Sequence, residues 1–225
     1  MKISHPTIPW NTLRAWFFDL DGTLMDTDDQ AVETMARRLR WLGESRAQRL
    51  ARRLVMLGET PMNHAITLLD MVGLDVLLFA VKSMIGGPTP PTFRIIPGVL
   101  PLVAHLAKRG PLAVVSTRSD EAAAAFLSQH SLTDYFQFLV TQETTRRLKP
   151  HPQPILYAAK KLGIPPHQCV MVGDTTVDIV AARRAGAWAV GVLCGFGEEP
   201  ELWRAGAHVV LPTTVDLLSL IPVFE

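Results

Sequence analysis

Two aspartates stand two residues apart in Asp19-Leu20-Asp21-Gly22-Thr23, at the end of an apolar run, Ala15–Leu20 (AWFFDL). The carboxyl end of a buried strand is where open α/β sheets place their ligands. One carboxylate there can attack an electrophile while the other handles protons. An Asp-Gly pair is also an ordinary turn. On typical residue usage, D-x-D-G-T arises by chance in roughly one chain of this length in several hundred.

Three later segments add compatible chemistry. Ser116-Thr117 ends a second apolar run, Leu112–Thr117, and offers a hydroxyl and backbone N–H groups suited to phosphate oxygens. Read alone, that pair could simply cap a helix. Lys149-Pro150 puts one cation in a loop before a helical pattern. A third run, Cys169–Gly173, continues as Gly173-Asp174-Thr175-Thr176-Val177-Asp178. Asp174 and Asp178, four apart, make a hard-oxygen pair of the kind Mg²⁺ accepts, although an N-capping aspartate is the plainer reading of either. Together the segments bring carboxylates, a hydroxyl and a lysine to one sheet edge.

The elements that must position these groups are legible as short apolar strands at Ala15–Leu20, Leu112–Thr117, Phe138–Thr141, Cys169–Gly173, Ala187–Val192 and His208–Leu211. Helical patterns alternate with them: Val99–Arg109, Asp120–His130 after the possible cap Ser119, Pro154–Leu162, and Thr176–Ala185 closed by Gly186. The alternation predicts an α/β fold, a three-layer Rossmann-like parallel sheet covered on both faces. Between the first two strands, residues 26–92 carry no strand signal and read as about four helices punctuated by Gly43, Gly58, Gly73 and Gly86-Gly87. The expected organisation is a core of residues 1–25 and 93–225 with an inserted all-helical cap domain over 26–92.

Composition narrows the classes. The 225 residues are 48% hydrophobic and 19% charged, which excludes a disordered, collagenous or disulfide-built chain. Lys+Arg 22 against Asp+Glu 21 gives a formal charge of +1, so no global charge draws the chain to nucleic acid or to an anionic membrane. Cys169 and Cys194 form no C-x-x-C pair, and no signal-peptide core or membrane-length apolar segment is evident. A cytoplasmic protein, monomer or homodimer, is the expectation. The arginines of the insert, Arg37, Arg38, Arg40, Arg46, Arg49, Arg52 and Arg53, alternate with leucines and read as the solvated side of amphipathic helices. Arg118 could contact a substrate carboxylate or second phosphate and His151 could approach the substrate, but the plainer reading of both is a solvated surface group; Cys194 reads as a small buried hydrophobe.

DLDGT, VVST, KP and GDTTVD, in that order, resemble the motifs of the haloacid dehalogenase superfamily of Asp-nucleophile hydrolases. The helical insert resembles the group with a small cap after the first motif, the phosphoglycolate phosphatase and β-phosphoglucomutase-like members. The resemblance implies that Asp19 is the nucleophile and Asp21 the acid/base. Ser116 and the Thr117 N–H would bind the phosphoryl group, and Lys149 would balance charge. Mg²⁺ would be held by Asp19, the Asp21 carbonyl and Asp174, with Asp178 as ligand or support. An aspartate at position 21 favours phosphate chemistry over carbon–halogen cleavage, since a halide leaves without a proton. Thr117-Arg118 departs from the family's usual Asn and Lys after the hydroxyl residue. The expected activity is a phosphatase acting on a small phosphorylated metabolite, phosphoglycolate-like or a sugar phosphate. The alternatives are a phosphomutase or a non-catalytic binding module.

Overall fold

A computed structural model describes residues 7–27, 35–44, 47, 50 and 92–221. Six strands form one parallel sheet: β1 (Ala15–Phe18), β2 (Leu112–Val115), β3 (Phe136–Val140), β4 (Cys169–Gly173), β5 (Trp188–Val192) and β6 (Val209–Leu211). Their spatial order is β3-β2-β1-β4-β5-β6. The order reverses between β1 and β4, so the crevice beyond the carboxyl ends of these two strands is the sheet's switch point. In register, Phe18 lies beside Val114 on one side and Val172 on the other.

The strands are apolar on both faces because both faces are covered. Trp16 and Phe18 of β1 point into one layer with Val114, Val172 and Val190. That layer is closed by α1 (Val99–Ala107), α2 (Asp120–Gln129) and α6 (Leu217–Leu220), which contribute Leu102, Leu106, Phe126 and Leu217. Ala15 and Phe17 point the other way, with Ala113, Val115 and Met171. There α3 (Gln153–Leu162), α4 (Thr176–Ala185) and α5 (Glu199–Ala205) close the layer through Ile155, Ile179 and Leu202. The period-two alternation along β1 is thus split between two cores.

The expected strands and helices appear with small shifts at their ends. β1 stops at Phe18, because the N–H groups of Thr23, Leu24 and Met25 all fold back onto the Leu20 carbonyl, at 3.2, 2.9 and 2.8 Å. β3 begins at Phe136, which pairs with Leu112 across an irregularity in register. Ser119 does cap α2, its hydroxyl accepting the Ala122 N–H at 3.3 Å. Helices α5 and α6 lie beyond the last helix expected from the sequence; α5 is only seven residues long and α6 four, too short for a clear period.

The expected helical insert lies largely outside the described residues. Within it, residues 35–38 are helical and Arg40–Leu42 form a 3₁₀ turn ending at Gly43, in accord with the expected stop there. The chain on either side is described and paired. Met25 bridges Ile95 antiparallel, the Asp26 N–H donates to the Arg94 carbonyl at 2.9 Å, and the Ile96 N–H donates to the Leu24 carbonyl at 3.0 Å. Outgoing and returning segments therefore leave the core side by side.

Phe126 anchors the returning segment, its ring edge-on to Phe93 at 6.0 Å. It is fully buried, so Phe126→Ala should cost about 3–5 kcal/mol in urea unfolding. A loss below about 1 kcal/mol would mean that this layer is loosely packed.

Candidate active site

Asp19 is the first residue beyond β1, and its N–H donates to the Val172 carbonyl at 3.0 Å, tying it to the end of β4. Asp174 is the first residue beyond β4. The two carboxylates therefore meet across the switch point because their strands are neighbours there. Asp178 joins them from the first turn of α4, and one oxygen from each of the three lies within 4.8 Å of the others. All three are buried.

Lys149 answers this concentration of charge. It is 4% exposed, and its Nζ donates to Asp178 Oδ1 at 2.6 Å and to the Val115 carbonyl at 2.8 Å, and lies 3.0 Å from Asp19 Oδ1. Burial works against the ammonium, but Asp178 and Asp19 outweigh it and hold its pKa above the usual lysine range. Asp19 goes the other way. Burial pushes its carboxyl up from 3.8 to about 6; Lys149 opposes the rise, and the charges of Asp178 and Asp21 add to it.

Local sequence explains why each carboxylate stays in place. Asp178 Oδ2 accepts the Thr175 hydroxyl at 2.6 Å and the Thr175 N–H at 3.2 Å, a capping box that starts α4. The N-capping reading and the site reading of Asp178 are both true of one residue. Asp174 Oδ2 accepts the Phe196 N–H at 2.9 Å, and its Oδ1 lies 3.5 Å from the Thr23 hydroxyl. Gly22, at φ +64°, and Gly195 lie against that carboxylate; a Cβ on either would come within 2.3 or 2.1 Å of Asp174 Oδ2. The Gly195-Phe196-Gly197 loop was not read from the sequence as part of the site. Its signal is the pair of glycines flanking one residue just beyond a strand.

These residues fit a divalent cation. Asp19 Oδ1 is buried and, although within ion-pair distance of Lys149, accepts no aligned hydrogen bond. The donors are hard carboxylate oxygens at the mouth of a sheet, the chemistry that Mg²⁺ takes.

Ser116 is buried at the end of β2, its N–H donating to the Val140 carbonyl at 2.9 Å and its hydroxyl accepting the Arg118 N–H at 3.3 Å. Thr117, half-buried, follows at the same edge. Asp21, also half-buried, stands outside the carboxylate cluster and faces Arg118. Here the reading of Arg118 as solvated is corrected. Its Nε donates to Asp21 Oδ2 at 2.7 Å and its second terminal nitrogen to Asp21 Oδ1 at 2.6 Å, a two-bond fork. The residues are 97 apart in sequence, so no local pattern announces the pair. His151 accepts the Gln153 N–H at 3.1 Å and lines a surface groove with Arg146, Arg147 and Lys160, in accord with its surface reading. Burial pushes the Cys194 thiol up, as expected for an unreactive cysteine.

A three-layer parallel sheet with buried carboxylates and a lysine at its switch point defines an α/β enzyme. Residues 16–192 match the haloacid dehalogenase-like hydrolase family. A phosphoglycolate phosphatase of Xanthomonas campestris pv. campestris is 30% identical over 209 residues, 88% of this chain and 93% of that protein. Pyrophosphatase PpaX of Bacillus pumilus is 27% identical over 215 residues, 94% of this chain and 97% of that protein. In fold the chain is similar to a haloacid dehalogenase-like family protein from Streptococcus pneumoniae, with a TM-score of 0.65 at 20% identity, covering 94% of this chain and all of that one. The chain belongs to the haloacid dehalogenase-like hydrolase family, and it is an enzyme of that class. Among the described residues no helix is long and apolar enough to cross a membrane.

The raised pKa of Asp19 has a consequence for stability. Between 3.8 and about 6 the folded protein holds a proton that the unfolded chain has released, so this contribution to stability falls as pH rises through that window and stays low above it. In chelator at pH 7.5, Asp19→Asn should raise the melting temperature, at roughly 2–4 °C for each kcal/mol regained. The gain should vanish well below pH 3.8, where Asp19 is protonated in the folded and the unfolded chain alike. Equal melting temperatures at pH 7.5 would show that Lys149 fully offsets the burial of the charge.

Proposed function

We propose that the protein is a Mg²⁺-dependent phosphatase that hydrolyses a small phosphate monoester through an aspartyl-phosphate on Asp19. The observation that carries this reading is the position of Asp19: a buried carboxylate at the switch point, beside Lys149 and the Asp174 side chain, with a second acid two residues on. In the first half-reaction an Asp19 oxygen bonds to phosphorus as the bond to the leaving oxygen breaks, and Asp21 supplies the proton that oxygen takes. In the second, Asp21 removes a proton from water as the water attacks phosphorus. Inorganic phosphate leaves and the Asp19 carboxylate is restored.

A carboxylate approaching a phosphate dianion meets strong repulsion, and the site's cations answer it. Lys149 lies against Asp19, held there by Asp178, while the Ser116 hydroxyl and the Thr117 N–H bind phosphoryl oxygens. Asp19, Asp174 and the Asp21 carbonyl would hold Mg²⁺, which when bound supplies the positive charge that lets the two anions meet. Both Asp178 oxygens are taken by Lys149 and Thr175, which suits a supporting role for it better than a liganding one. Residues 26–92 form the helical cap in this reading, supported by the paired exit and return of the chain at Met25 and Ile95. The phosphoglycolate phosphatase from Xanthomonas campestris supports a phosphoglycolate-like monoester as substrate.

Phosphate release should be measured with Mg²⁺ over a panel of p-nitrophenyl phosphate, phosphoglycolate, sugar phosphates and nucleotides. At least one small monoester should be turned over, with activity removed by chelator and lowered at least about 10²–10³-fold by Asp19→Asn. Full activity in that variant would overturn the mechanism.

A further inference from the structure

Asp21, the acid/base of the proposed reaction, has both carboxylate oxygens engaged by one arginine. Arg118, just beyond β2, reaches across to fork it at 2.6 and 2.7 Å. The guanidinium also lies 5.8 Å from the centre of the Phe93 ring, which offers it a second resting surface. Phe93 is fixed in turn: its N–H donates to Gln129 Oε1 at 3.1 Å, and its carbonyl accepts from Gln129 Nε2 at 2.9 Å. The side chain of Arg118 is 23% exposed and that of Asp21 32%, so a molecule arriving at this end of the sheet can reach both.

While the fork is made, the two oxygens that must meet the leaving group and the water face a guanidinium instead. A carboxylate on the incoming substrate has the same planar, two-oxygen geometry as the Asp21 side chain, and a tetrahedral phosphate can present two of its oxygens to the same two N–H groups, so either can take its place on the fork. Lys149 cannot serve that purpose, because Asp178 and the Val115 carbonyl hold it beneath Asp19. We infer that Arg118 is the receptor for a second anionic group of the substrate, and that its exchange of partners frees Asp21 for proton transfer. The inference deepens the phosphatase reading and rests on it. The substrate class it names is a phosphate monoester carrying a second anion, a carboxylate or another phosphate, near the scissile ester. The plainer, solvated reading of Arg118 gives way to a coupling of recognition with catalysis.

The test compares wild type with Arg118→Gln and Arg118→Lys on phosphoglycolate, a sugar bisphosphate and p-nitrophenyl phosphate. In Arg118→Gln, the ratio of kcat/KM for a second-anion substrate to that for p-nitrophenyl phosphate should fall by roughly 10–150-fold, mostly through KM. Arg118→Lys, which keeps the charge without the fork, should recover part of the loss. A fall for phosphoglycolate alone assigns the second anion as a carboxylate, and a fall for the bisphosphate alone assigns it as a phosphate. Equal losses on all substrates would overturn the inference and leave Arg118 as a mere support for Asp21; an unchanged ratio would overturn it too. Equilibrium binding of phosphoglycolate to Asp19→Asn protein, with and without Arg118→Gln, separates this outcome from failure of the phosphatase reading. Binding weakened by Arg118→Gln in a protein whose wild type hydrolyses nothing would retain the anion receptor and remove the chemistry.

Discussion

The contact between Lys149 and Asp178, with Asp19 beside it, is what the rest of the site depends on, because three buried carboxylates within 4.8 Å repel one another strongly. Two unit charges 4 Å apart interact by about 4 kcal/mol at the effective dielectric of a protein pocket. A single lysine shared between two of the acids offsets much of that repulsion, and the offset is incomplete. Asp19 keeps a raised pKa, near 6, while Lys149 is held firmly charged. That asymmetry suits the two residues to different work. The lysine is a fixed charge, and the aspartate is a destabilised carboxylate that a cation or an electrophile would relieve.

The fold delivers this arrangement through a few main-chain constraints. β1 and β4 are neighbours in register, so the residues leaving their ends fall together. The Val115 carbonyl at the end of β2 gives Lys149 a neutral third partner and fixes its head below the pocket. Gly22 and Gly195 let two loops close directly upon Asp174, where any Cβ would force them apart. Each element contributes one or two groups, and none makes a site alone.

Around those buried charges the outer edge of the site is built differently. Asp21 and Arg118 are half-exposed, their pairing spans separate loops, and the arginine also touches the ring of a residue on the returning connection from the insert. Ion pairs at such exposure contribute little to stability, so this fork is free to serve recognition. In the proposed mechanism the buried charges fix the reacting atoms, and the accessible ones meet the substrate.

Much of this was legible before any coordinates. Period and punctuation mark the strands and helices because burial on both faces of a parallel sheet demands apolar runs of that length. DLDGT, Ser116, Lys149 and GDTTVD are legible because strand ends and helix starts are local features, and the capping of α4 by Thr175 and Asp178 is written within four residues. The short helices α5 and α6, the Gly195-Phe196-Gly197 cradle and the Arg118 fork are not: the helices are too short for a clear period, and all of them are fixed by contacts that no local pattern carries. Their meaning lies in partners far away in sequence: Asp174 for the glycine loop, Asp21 for the arginine, the second core layer for Leu202. Sequence by itself determined the kinds of group and the strand ends that carry them. Which of those groups touch, and therefore which charges are shared and which remain available, was decided only by the order of strands in the sheet.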